Sequence, residues 1–279
     1  MARTIWGWIG VILVSLVIVL VAIRITRAYD QAKPDVDPVI SDIAEFTYVR
    51  VRVIGVAEGM YYDKGKWQTK KTLFHQSGSG CVVRDGFILT CAHVVVPENV
   101  ETIIGKYSTH LTKPLRVIKT LYLIYHFSNN PIIAELHYID PELDIAILSY
   151  KPSGILEPLT CEIHYAQEML KKGDVVFSFL HKRGENGRMK SDLELRYGHV
   201  LSPLPTMPKM GSELAFLSPY DMTLLMSLQG GDSGSPLFAF SDGEPVLIGI
   251  LRAVRNDEII SLSYAVSLPN IRRYVNIEN

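Results

Sequence analysis

Apolar residues in this chain fall into short runs, rich in β-branched side chains and broken by turn-forming residues. The first five are "FTYVRVRVIGV" (46–56), "GCVVRDGFILTCAHVVV" (80–96), "LRVIKTLYLIY" (115–125), "DIAILSY" (144–150) and "DVVFSFL" (174–180). The rest are "LELRYGHVLSP" (193–203), "DMTLLMSL" (221–228), "SPLFAF" (235–240), "PVLIGILRAV" (245–254) and "IISLSYAVSL" (259–268). Runs of this kind bounded by turn signals predict strands. In "YVRVRVIGV" apolar and polar positions alternate with period two, as in a strand that lays one face on a core. Within the globular part only "YAQEMLKKGD" (165–174) and "LPNIRRYVNI" (268–277) suggest helices. About 235 residues of short strands, without alternating long helices, predict an all-β sandwich or pair of barrels rather than a parallel sheet.

One segment departs from that pattern. "IWGWIGVILVSLVIVLVAI" (5–23) carries no charge, and as a helix it would reach roughly 28 Å, enough to cross the hydrocarbon of a bilayer once. A cleaved signal peptide usually has a shorter apolar core and a small-residue cleavage site, and "IRITRAYDQAKPD" offers no clean one. Residues 1–27 are therefore expected to form a transmembrane anchor, and residues 28–44, polar and with two prolines, a linker. Arg3 and the amino terminus lie on one side of the segment and Arg24, Arg27 and Lys33 on the other. That count tips slightly toward a cytoplasmic domain and does not decide orientation. The expectation kept is a single-pass membrane protein with its globular domain on the non-cytoplasmic side, periplasmic or extracellular. A near-neutral balance of 28 basic and 29 acidic residues, without basic blocks interleaved with aromatics, argues against a nucleic-acid partner. Cys81, Cys91 and Cys161 imply no disulfide framework and read as buried small residues.

Chemistry concentrates in "QGGDSGSPLF" (229–238). Its residue types are also those of a tight turn, and a nucleophilic serine needs a base and a group to orient that base. His93 stands where the run "GFILTCAHVVV" turns, and Asp144 opens "DIAILSY". Each has a plainer reading, His93 as a core histidine and Asp144 as a strand cap, and Asp140 is a competing acid. The chain order His93, Asp144, Ser233 is that of the chymotrypsin type and differs from those of α/β-hydrolases and subtilisins. The α/β-hydrolase elbow G-x-S-x-G also fails, at Ser235. Cys91 is expected at a packed position rather than as a nucleophile. No histidine has a metal-ligand spacing such as HExxH, so neither metal nor cofactor is expected.

"TCAHVV", "DIAIL" and "GGDSGSPLF" resemble the three active-site segments of trypsin-like serine proteases. "GSGCVVRDGFILTCAHVV", "RYGHVLS" and "PVLIGILRAVRNDEIISLSYAVSLPNI" look most like the HtrA-type branch, in which a membrane-anchored protease domain is common. The similarity runs from about residue 46 to residue 275. It implies a double six-stranded β-barrel of the chymotrypsin type, with the active site in the cleft between the barrels. The first barrel would occupy 45–155, and the second, with a C-terminal helix, 156–279. It also implies Ser233 as nucleophile, His93 as general base and Asp144 as the group orienting the imidazole, with the backbone N–H groups of Gly231 and Ser233 as oxyanion hole. The substrate would be a protein or peptide. A PDZ domain is not expected after the protease domain, and trimer formation is a further implication of the same branch.

Departures from the family bear on specificity and activation. Ser227 falls where a trypsin-like pocket would carry its basal Asp, so apolar or small side chains are expected before the scissile bond. Arg252 and Arg255 are expected near the pocket wall, drawing an acidic residue or simply lying exposed. Asp232 matches trypsin, in which a freed amino terminus pairs with this carboxylate. "RVIGVAEG" (52–59) resembles an activation site, although its alternation reads more simply as strand. The alternative to an active endopeptidase is a protease-fold binding or chaperone module with a collapsed oxyanion loop.

Overall fold

The computed structural model describes residue 43 and residues 47–96, 112–126, 130–152, 156, 170–183, 189–203, 221–256 and 261–267. The expected anchor, Cys161, the C-terminal helix, nearly all of the linker and residues 165–169 of the expected 165–174 helix lie outside the described residues; residues 170–174 are not helical but turn at Lys172 and Gly173, where Asp174 N donates to Lys171 O (3.1 Å). Among the described residues no helix is long and apolar enough to cross a membrane.

The first six strands are β1 (Tyr48–Asp63), β2 (Lys66–Arg84), β3 (Phe87–Thr90), β4 (Thr112–Tyr125), β5 (Ile132–Asp140) and β6 (Ile145–Tyr150), with a one-turn helix α1 (Ala92–Val95) after β3. They close into a barrel in the order β1-β2-β3-β6-β5-β4. The next six are β7 (Val175–Arg183), β8 (Met189–Ser202), β9 (Asp221–Leu225), β10 (Pro236–Ser241), β11 (Glu244–Asn256) and β12 (Ser261–Ser267). These close into a second barrel in the order β10-β11-β12-β9-β8-β7. Neighbouring strands are antiparallel throughout.

The alternation in "YVRVRVIGV" is realised in β1, where Val49, Val51 and Val53 are fully buried and Arg52 is exposed. Arg52 pairs with Ser77 of β2 and Leu123 of β4, so "RVIGVAEG" is a strand zipped on both sides. Lys64 and Gly65 join β1 to β2 with φ of 48° and 80°, the left-handed pair of a two-residue hairpin turn whose twist matches its strands. In β6 all residues but Ser149 are buried. Ile88, Leu89, Ile145 and Ile147 fill this first core, each contributing roughly 1.5–3 kcal/mol over leaving it in water. In the second barrel, Val176, Leu180, Leu237 and Ala239 belong to one buried cluster. The alternate positions of β7 and β10 carry an aromatic layer, in which Phe177 and Phe238 stack at 5.3 Å and Phe179 meets Phe238 edge-on. Period-two alternation thus buries both faces of these two strands.

The barrels meet where β2 passes the loop before β10. Ser79 N donates to Ser233 O (2.8 Å), and the backbones come so close that a Cβ on Gly234 would lie 2.0 Å from Ser79 O. Gly234 also has φ of +90°, a conformation that costs any L side chain. Beneath the junction the Tyr48 hydroxyl shares a 2.5 Å hydrogen bond with Ser79 Oγ, and its ring meets His181 of β7 edge-on at 5.2 Å.

Gly234→Ala is therefore expected to destabilise the fold by more than about 3 kcal/mol, through a clash and a disfavoured φ together. Gly230→Ala, where nothing stands within 4 Å of the added carbon, should cost under about 1 kcal/mol; urea midpoints of the two variants check this. Burial, opposed in part by the hydrogen bond to Ser79, raises the Tyr48 hydroxyl far above the ordinary phenol value. The folded chain then keeps this phenol neutral while the unfolded chain ionises it. The resulting stability is complete below about pH 10 and is lost as pH rises further, by up to about 1.4 kcal/mol per unit. Tyr48→Phe should weaken that alkaline loss and cost about 1 kcal/mol at pH 7 from the missing hydrogen bond, both read from urea unfolding at neutral and alkaline pH.

Candidate active site

His93 sits in α1, a helix of four residues that is too short to hold itself together. Its Ncap residue, Cys91, offers no side-chain cap. Asp144 does this from the start of β6: its carbonyl accepts Ala92 N (3.1 Å) and its Oδ1 accepts His93 N (2.8 Å). Asp144 Oδ2 then accepts a hydrogen bond from His93 Nδ1 at 2.7 Å. Asp144 can face α1 with both groups because it adopts φ of +55°, a region in which Asp is one of the tolerated residues. The carboxylate is 4% exposed and the imidazole 27%, so the ring is gripped on its inner edge and reachable on the outer one. Gln76 Nε2 donates to His93 O and fixes the helix from β2.

Ser233 lies in the loop before β10, whose backbone is tied at several points. Asp232 N donates to Gln229 O, Ser235 N to Asp232 O and Gly234 N to Leu251 O, at 3.1, 3.0 and 2.7 Å. The Asp232 carboxylate is buried and accepts Gln229 N at 2.7 Å. Ser79 Oγ donates to Gly231 O (3.0 Å), which holds that carbonyl toward β2. Gly231 takes φ of +100°, which only glycine adopts without strain. Among the described residues the N–H groups of Gly231 and Ser233 have no protein acceptor.

The Ser233 hydroxyl donates to the backbone carbonyl of Arg252 at 3.0 Å, and the described residues contain no hydrogen bond between it and His93. The structure thus brings His93 and Asp144 into direct contact and links Ser233 to them through Arg252. That residue was expected at a pocket wall or on the surface. It does not lie exposed: it is 8% exposed and its Nε donates to Asp144 Oδ2 at 3.0 Å. The register of β11 against β12 slips between Leu251 and Ala253; a bulge of this kind re-aims a side chain, here from the outer face of the strand into the site. A bulge leaves no mark in hydrophobic periodicity, and the only available signal was an Arg directly after a fully apolar run.

Ser227 is exposed, and its carbonyl accepts Arg196 Nη1 at 2.6 Å. Arg196 also pairs with Glu194, so a cation that the sequence did not place here stands beside Ser227. Asp140, the competing acid, accepts Leu143 N at 3.0 Å and caps the turn that delivers Asp144. Cys91 Sγ, His93 and Asp144 offer possible metal-ligand atoms within 4.8 Å of one another. They suit a metal poorly: the thiol donates to Leu251 O at 3.2 Å, and the Arg252 guanidinium, a fixed cation, already sits on Asp144 Oδ2.

No curated protein matches the chain in sequence. The solved structures similar to it include the active form of Rv3671c protease from M. tuberculosis, at 17% identity and a TM-score of 0.53, covering 88% of this chain and 87% of that one. The inactive form of Rv3671c protease is similar at 18% identity and a TM-score of 0.51, covering 88% and 96%. At these identities the likeness is one of fold. The family of trypsin-like peptidase domains matches residues 78–250, more than half of the chain and inclusive of His93, Asp144 and Ser233. The chain therefore belongs to the trypsin-like peptidase domain family and is a serine-type endopeptidase.

Proposed function

We propose that Ser233 is the nucleophile of a membrane-tethered endopeptidase, with His93 as its general base, and that the enzyme cleaves exposed segments of other proteins through an acyl-enzyme. The observation that carries this reading is the 2.7 Å contact between the buried Asp144 carboxylate and Nδ1 of a part-exposed imidazole. A carboxylate only accepts, so Nδ1 carries the proton and Nε2 is left as the base. The Ser233 hydroxyl turns from Arg252 O to Nε2, gives up its proton there and attacks the scissile carbonyl. Asp144 stabilises the imidazolium, and the carbonyl oxygen, now negative, is taken by the N–H groups of Gly231 and Ser233. The imidazolium then protonates the leaving amine, and water, deprotonated by His93, releases the acyl group by the same steps. Residues 5–23 would tether the domain to a membrane on its non-cytoplasmic side.

One observation favours a latent binding module instead: the Ser233 hydroxyl is held by Arg252 O. A fluorophosphonate probe on the full chain in detergent separates the two readings, since only an activated serine reacts with it. Labelling is expected on Ser233, with none in Ser233→Ala, little in His93→Ala and a rate about 10⁴-fold lower in Asp144→Asn. A folded chain that takes no label, or takes it at another residue, would sink the peptidase assignment of Ser233.

A further inference from the structure

Arg252 is buried at 8% exposure, yet its guanidinium is directed at the one oxygen that also holds the His93 ring. Both donors, His93 Nδ1 at 2.7 Å and Arg252 Nε at 3.0 Å, share Asp144 Oδ2, while Oδ1 serves the His93 backbone. The main chain of the same residue takes the Ser233 hydroxyl. One bulged residue of β11 therefore touches two of the three groups proposed for catalysis and is bound to the oxygen that grips the third.

We propose that Arg252 is a positioning residue that restrains proton transfer from Ser233 to His93 and keeps the unoccupied site slow. The inference rests on the roles given to His93, Asp144 and Ser233 above. When His93 takes the serine proton it becomes a cation, and the negative charge of Asp144 stabilises that cation. Arginine is always charged, and its charge on the same carboxylate oxygen offsets part of the stabilisation. Screening is weak in a buried site, so the opposition persists in salt. The carbonyl acts in the same direction, because the hydroxyl has to leave it before it reaches Nε2. A purely structural Arg252 would merely compensate the buried charge of Asp144, and its removal would lower activity. A restraint makes the opposite prediction.

The test is the rate of fluorophosphonate labelling of Ser233 at neutral pH in the full chain, with circular dichroism confirming the fold of each variant. Arg252→Gln keeps a side-chain donor and removes the charge; it is expected to label about tenfold faster than the wild type. Arg252→Lys keeps the charge and should show less than a third of that gain. Arg252→Met, uncharged and of similar length, is expected to speed labelling as well and serves as the reading if the Gln variant does not fold. Labelling of the wild type with equal or slower labelling of the uncharged variants overturns the restraint and leaves the peptidase reading standing. No labelling of any folded variant overturns that reading itself, and the restraint with it.

Discussion

Asp144 accepts four hydrogen bonds, two from the backbone of α1, one from the His93 ring and one from Arg252. A helix of one turn has no cooperative reserve of its own, so the position of His93 depends on those caps. The caps in turn depend on a left-handed aspartate at the mouth of β6 and on Asp140, which closes the turn in front of it. The same carboxylate ties the second barrel to the first through Arg252. Loss of this one acceptor would release the ring, the helix that carries it and the side chain of β11 together.

The other half of the site is held by close approach. Ser79 meets the serine loop through its N–H, which donates to Ser233 O, and through its hydroxyl, which donates to Gly231 O. Thr90 Oγ1 donates to Ser79 O at 2.7 Å, so the strand presenting these groups is itself pinned from β3. Two backbones can come this near only if one of them lacks a Cβ, and Gly234 supplies that gap. The serine loop is thus shaped less by its own turn propensity than by the barrel against which it rests. That is also why "GGDSGS" read alone is ambiguous between turn and active site.

Strands buried on at least one face were legible. β1, β6, β7, β10 and β11 each coincide with an apolar run because burial imposes the pattern. The first part of β2 was not: from Lys66 to Lys71 all residues are exposed, and their strand conformation comes from pairing with β1 beyond the tight turn at Lys64 and Gly65. β5 was also missed, because polar and apolar positions there are mixed and only Ala134 is buried. At the site, His93, Asp144 and Ser233 could be named from residue type, chain order and family resemblance. Arg252 was seen but given a different environment, since a bulge between two strands is invisible in a one-dimensional pattern.

The sequence by itself determined the all-β class, the succession of most strands and which side chains are chemically able to act, because burial periodicity, turn residues and side-chain chemistry are local properties. Only the tertiary structure decided that both barrels close, that the serine hydroxyl rests on a carbonyl of β11, and that an arginine 108 residues away shares an oxygen of Asp144 with His93. Those contacts arise from strand register, one bulge and a junction without room for a Cβ, and a register becomes definite only when the partner strand is in place.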